Sequence, residues 1–164
     1  MKYRITKYNP SNRNENGSYA LNEWTSYSDI GKYFENKVFT YNKYLETETK
    51  YINAVKSLMQ FFDINSVFIS DLEKHNELND FNEKDKIFYP YYKKLYNSQK
   101  INIANIDKLI QLILREYTWC EIHLESINIT VLFGNDYYMY FNINDTNDVS
   151  SLLEKIKSDG LFVD

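Results

Sequence analysis

Glu121-Ile122-His123-Leu124-Glu125 is the segment of this 164-residue chain whose residue types and spacing best suit chemistry. On a strand alternate side chains share a face, so Glu121, His123 and Glu125 would stand about 6–7 Å apart. Carboxylate, imidazole and carboxylate in that order could hold a divalent metal or work as an acid–base pair. Alternating charge on an exposed strand face is the plainer reading, and it is preferred. Cys120 and His123, three apart on the same strand, point to opposite faces and form no thiolate–imidazole dyad. No Gly-rich turn precedes a helix, and no zinc-finger spacing, His-Glu-x-x-His or Gly-x-Ser-x-Gly motif occurs. The expectation is therefore a non-enzyme with no catalytic residue, metal or cofactor.

A second constellation is aromatic. In Asp136-Tyr137-Tyr138-Met139-Tyr140-Phe141-Asn142-Ile143, alternation puts Tyr137, Met139, Phe141 and Ile143 on one side and Tyr138, Tyr140 and Asn142 on the other. Neighbouring strands add Trp119, Glu121, His123 and Thr130 to the second set. Tyr and Trp join large contact area to few rotatable bonds and a polar tip, which suits a binding face.

Those residues need a sheet. Residues 118–124, 127–133 and 136–143 alternate with a period of two, and the links Glu125-Ser126 and Gly134-Asn135 predict a three-stranded antiparallel meander. Thr40 predicts an N-cap for a helix over 41–62, in which Glu48 is one polar break in the apolar stripe. Asn105 or Asp107 opens a second helix whose Ile106, Leu109, Ile110, Leu112, Ile113 and Leu114 are apolar on most sides, predicting deep burial. Asp148 caps a last helix that Gly160 ends. Residues 2–8 and 66–70 read as further strands, and about 71–105 as an acidic, irregular insertion with short helices. Arg115-Glu116 reads as structural, an ion pair or helix cap. The fold class is α+β: one domain over 1–164, its antiparallel sheet packed on the long helix and the buried second helix.

A hydrophobic share of 43%, with 16 Tyr and 10 Phe, argues for a folded globule. The net charge of −4 disfavours nucleic acid as a partner. Six acids (Asp71, Glu73, Glu77, Asp80, Glu83, Asp85) crowd residues 71–85 against Lys74 and Lys84. Such a run is ordinarily a solvated loop, but it also suits steering of a basic protein. The single cysteine excludes an internal disulfide and fits a reducing compartment. With no long apolar run, no membrane is expected and the location is read as cytoplasmic.

Lys2-Tyr3-Arg4-Ile5-Thr6-Lys7-Tyr8-Asn9-Pro10, Glu23-Trp24-Thr25-Ser26 and Ser28-Asp29-Ile30-Gly31-Lys32 resemble the opening of small uncharacterised proteins from Gram-positive bacteria. Phe133-Gly134-Asn135-Asp136-Tyr137-Tyr138-Met139-Tyr140, with Leu114-Arg115-Glu116 and Trp119-Cys120, resembles their C-terminal signature. Such proteins are similar in size, acidity and make-up to immunity proteins of polymorphic-toxin and contact-dependent inhibition systems. The resemblance implies a cytoplasmic protein that neutralises a cognate, basic toxin by direct contact. On that reading Trp119, His123, Tyr138 and Tyr140 are anchors, and Glu121, Asp71, Glu73, Glu77 and Asp80 are charge partners. The alternatives are a small metal-dependent or acid–base enzyme using Glu121, His123 and Glu125, and a module that forms a homodimer through the aromatic sheet.

Overall fold

The computed structural model describes residues 1–144 and 147–164. Seven strands form one antiparallel sheet: β1 (Lys2–Thr6), β4 (Ser66–Glu73), β5 (Lys100–Asn102), β6 (Trp119–Leu124), β7 (Ile129–Phe133), β8 (Tyr138–Ile143) and β9 (Phe162–Val163). Their order is β5-β4-β6-β7-β8-β1-β9, and β2 (Tyr33–Phe34) with β3 (Lys37–Val38) makes a separate small hairpin. Every ladder in the large sheet is antiparallel. Such sheets tolerate one wet face, and this one has it.

The burial of β6, β7 and β8 alternates residue by residue. Cys120, Ile122, Leu124, Ile129, Val131, Phe133, Met139, Phe141 and Ile143 face the core, joined by Ile5, Val67 and Ile69 from β1 and β4. Helices cover that side: α1 (Tyr41–Phe61), α3 (Ile106–Leu114) and α4 (Ser150–Ser158), while the short α2 (Tyr89–Lys93) lies in the β4–β5 connection. All six apolar side chains of α3 are buried. Each contributes about 1.5–3 kcal/mol relative to an exposed position, so this short helix owes its stability to packing rather than to length.

The helix ends follow from local chemistry. The Thr40 hydroxyl accepts the Lys43 amide at 3.2 Å and starts α1. Asp148 accepts the Ser150 amide at 2.9 Å, one residue earlier than a standard cap on α4. Three helices stop in the same way, with a left-handed residue after the last turn: Asp63 (φ 54), Glu116 (φ 65) and Gly160 (φ 95). At α3 the Glu116 amide donates to Ile113 O (3.0 Å) and the Tyr117 amide to Leu112 O (2.9 Å), which satisfies carbonyls the helix leaves open.

The polar break in α1 has a partner. Glu48 is buried and receives the Arg115 Nε (2.8 Å) and Nη2 (2.7 Å), while Arg115 Nη1 donates to Asp85 at 2.5 Å. The Tyr27 and Tyr117 hydroxyls also donate to Asp85, at 2.7 and 2.8 Å. Asp85 is therefore 0% exposed and is no part of an acidic surface, correcting the expectation for the 71–85 run. Its charge is held inside because a guanidinium and two phenols solvate it in place of water.

The stretch after Ser70 also departs from expectation. β4 continues to Glu73 past a register shift against β6, with Asp71 at φ 52. Such a bulge admits an extra residue without ending the ladder, which is why alternation fades at Ser70 although the strand does not. Phe81, Tyr92 and Leu95 bury themselves in the core, and Phe81 stacks on Tyr117 with ring centres 4.0 Å apart. The chain then returns to the sheet as β5.

Candidate functional site

The uncovered face is a grid read off the ladders. One row runs Lys100, Phe68, His123, Thr130, Asn142 and Lys2, each paired across strands with the next. A second joins Ser70 with Glu121, and Leu132 with Tyr140 and Arg4. Tyr138 pairs with Thr6 beyond them. Trp119, Glu121, His123, Tyr138 and Tyr140 are all half-buried and lie on this one side.

These side chains are not equally available. Arg4 and Arg13 each place a guanidinium 5.4 Å from the Tyr138 ring centre, and Tyr8 packs against it at 5.5 Å. Arg13 also donates to the Tyr138 hydroxyl at 2.9 Å. Tyr140 carries the Lys2 ammonium at 4.3 Å. Its ring edge lies so close to Gly134 that a Cβ there would stand 3.2 Å from it, so glycine makes room for the tyrosine. Both phenol rings already hold cations from their own chain.

On the opposite half, His123 Nε2 lies 2.7 Å from the Ser70 hydroxyl and 3.6 Å from Glu121 Oε2. Glu125 turns away. It pairs with Lys100 at 2.8 Å and accepts the Ser66 hydroxyl, and these two bonds hold its carboxyl below the usual range. Glu121, His123 and Glu125 thus form no common site, and no group of three metal-ligating side chains is gathered among the described residues. Cys120 faces the core, where burial, with a smaller push from Glu121, raises its thiol to about 12.

Sequence reasoning missed a cleft of about 520 Å³ at the edge of this face. Three separated segments line it: Glu73, His75 and Asn76; Ile113, Leu114 and Glu116 to Trp119; and Phe133 to Tyr137. Hydrogen bonds tie these walls together. Thr118 Oγ1 donates to Glu73 O (2.6 Å), Asn76 Nδ2 to Tyr117 O (2.6 Å), the Tyr137 hydroxyl to Leu114 O (2.8 Å) and Trp119 Nε1 to Phe133 O (2.7 Å). Glu116, Asp136 and Tyr137 all adopt positive φ at its rim. No motif spans segments so far apart in sequence; the only local sign was the turn-forming Gly134-Asn135-Asp136.

Of the acids expected to meet a partner, Glu73 lines the cleft and Glu121 lies on the grid. Asp71 sits on the bulge and accepts the Ser70 hydroxyl at 3.2 Å. Asp80 accepts the Glu77 amide at 2.6 Å, and Glu77 the Tyr89 hydroxyl at 3.3 Å, so this pair stiffens its own turn. No helix among the described residues is long and apolar enough to cross a membrane. No family model, curated protein or solved structure matches this chain.

Proposed function

We propose that this chain is a non-enzymatic, immunity-type protein that binds and neutralises a cognate toxin by protein–protein contact in the cytoplasm. One observation carries the reading: a continuous sheet face, from Phe68 on β4 to Arg4 on β1, is covered by no α-helix among the described residues and presents Trp119, His123, Leu132 and Tyr140 half-exposed. Aromatic side chains held on rigid strands bury much area at small entropic cost, and this favours slow dissociation. The single cysteine, buried and free, is compatible with a reducing compartment.

The test is co-expression with the C-terminal domain of any secreted effector found encoded next to this gene. The intact chain should restore growth, and a Trp119→Ala, His123→Ala, Tyr140→Ala triple variant that keeps its native circular dichroism should not. Undiminished protection by that variant would reject the face. A tagged chain that co-purifies only with itself at equal stoichiometry would replace the toxin with a second copy.

A further inference from the structure

We infer that the cleft beside the open face receives an arginine side chain of the protein partner. The identity of that partner as a toxin rests on the reading above; the chemistry of the subsite does not. Glu73, Glu116 and Asp136 line the cleft, and among the described residues no Lys or Arg lines it. Glu116 already accepts the Ser26 hydroxyl at 3.0 Å and Asp136 feels the Lys7 ammonium, but no cation among the described residues enters the cleft itself, so a guest there meets a net negative potential that a further cation relieves.

The indole of Trp119 supplies the second, independent argument. Among the described residues Tyr138, Tyr140, Tyr8 and Trp24 each have a cation of this chain over the ring. Trp119 has none, and no other aromatic ring stacks on it. Tryptophan is the strongest cation–π platform of the three aromatic types, and here it is half-buried at the edge of an acidic hollow. Its Nε1 bond to Phe133 O holds the ring in place before any guest arrives. A planar guanidinium can stack on a ring and still offer its in-plane N–H groups to a carboxylate, which a compact ammonium does less well. The hydrogen bonds between the walls mean that no rearrangement is needed to form the site.

The test follows the two indole N–H signals of the intact protein by NMR, with the Trp119 signal assigned by its absence in Trp119→Phe. The probes are the capped tripeptides acetyl-Gly-Arg-Gly-amide, its lysine counterpart, its neutral citrulline counterpart, and manganese chloride alone. The arginine peptide should shift or broaden the Trp119 signal saturably at about 10 mM, the lysine peptide less, and the citrulline peptide not at all. Glu73→Gln, Glu116→Gln and Asp136→Asn together replace exposed carboxylates with isosteres and should weaken binding about tenfold, since each rim charge contributes modestly. An equal response to citrulline, undiminished binding by the triple variant, or no response to the arginine peptide would overturn the inference. A saturable response to manganese with none to arginine would make the cleft a cation site instead. A His123→Ala, Tyr140→Ala variant spares Trp119 and separates the two readings: failure here with protection still lost in that double variant would sink only the arginine, and arginine binding with protection unaffected by it would sink only the docking face.

Discussion

Glu48 and Arg115, 67 residues apart in the chain, meet in the interior as a two-pronged pair, Nε to Oε2 and Nη2 to Oε1. The contact joins the middle of α1 to the end of α3, and Asp85 closes it from the β4–β5 connection. One buried cation therefore holds three elements that sequence separates widely.

Replacing Arg115 by Met should cost about 3–5 kcal/mol, because it leaves two buried carboxylates without a counter-charge. Urea unfolding followed by circular dichroism measures it. A loss below about 1 kcal/mol would mean that water or rearranged tyrosines solvate Glu48 and Asp85 as well as the guanidinium does.

Glu116→Gly should raise stability by about 0.5–1 kcal/mol, since the residue stands at φ 65 after α3, where a Cβ is unfavourable and glycine is not. The same change should weaken arginine-peptide binding. Paired urea melts and NMR titrations test the trade. A variant that gains stability and keeps full binding would show that the Glu116 carboxylate plays no part in the cleft.

Lys7 sets a pH dependence whose sign can be derived. Its side chain is 8% exposed, and the ammonium lies over Tyr8 at 3.9 Å and Trp24 at 4.2 Å, with Glu23 at 3.3 Å. Burial pulls its pKa from 10.5 down to about 8, against the opposing attraction of Glu23. Below pH 8 both folded and unfolded chains carry the proton, and the burial penalty is fully present. From about pH 8 upward the unfolded state binds more protons, so stability climbs with pH. Near pH 10 the buried tyrosines reverse the slope, because burial keeps Tyr8 and Tyr27 protonated while their unfolded counterparts ionise. Stability should peak between about pH 8 and 10, and Lys7→Met should remove the rise but keep the fall. Thermal melts across that range decide the point.

Cys120 should resist thiol reagents in the native state at pH 8, since it is 0% exposed and its thiol is pushed up to about 12. Labelling should appear only with global unfolding in urea, followed by mass spectrometry. Rapid labelling under native conditions would show that β6 opens on its own.

The α+β class, the cap at Thr40, the buried face of α3 and the stop at Gly160 were legible in the sequence because each rests on neighbours within a few residues. So was the division of Trp119, Glu121, His123, Tyr138 and Tyr140 to one side, which needs only a period of two. The hairpin after β7 was longer than Gly134-Asn135 suggested: Asp136 and Tyr137 extend it in left-handed conformations, and a bulky aromatic there is not an expected turn residue. Tyr137 is held by packing and by the Tyr51 hydroxyl, which donates to its carbonyl at 2.5 Å. Asp85 read as part of a solvated acidic run and Glu48 as a polar break in an apolar stripe, because their partner, Arg115, is distant in sequence. The cleft was invisible for the same reason, assembled from three segments that no local pattern connects.

The strict alternation along β6, β7 and β8 has an evolutionary consequence. Odd and even positions answer to different selective pressures: one set must keep filling a fixed interior, while the other can change with whatever it meets outside. A lineage can therefore exchange Trp119, His123 or Tyr140 while Ile122, Val131 and Phe141 stay constant, and change the outer surface without refolding the protein. The two strands at the sheet's edges, three and two residues long, offer little backbone to an added strand, so such diversification is channelled onto the broad side chain surface.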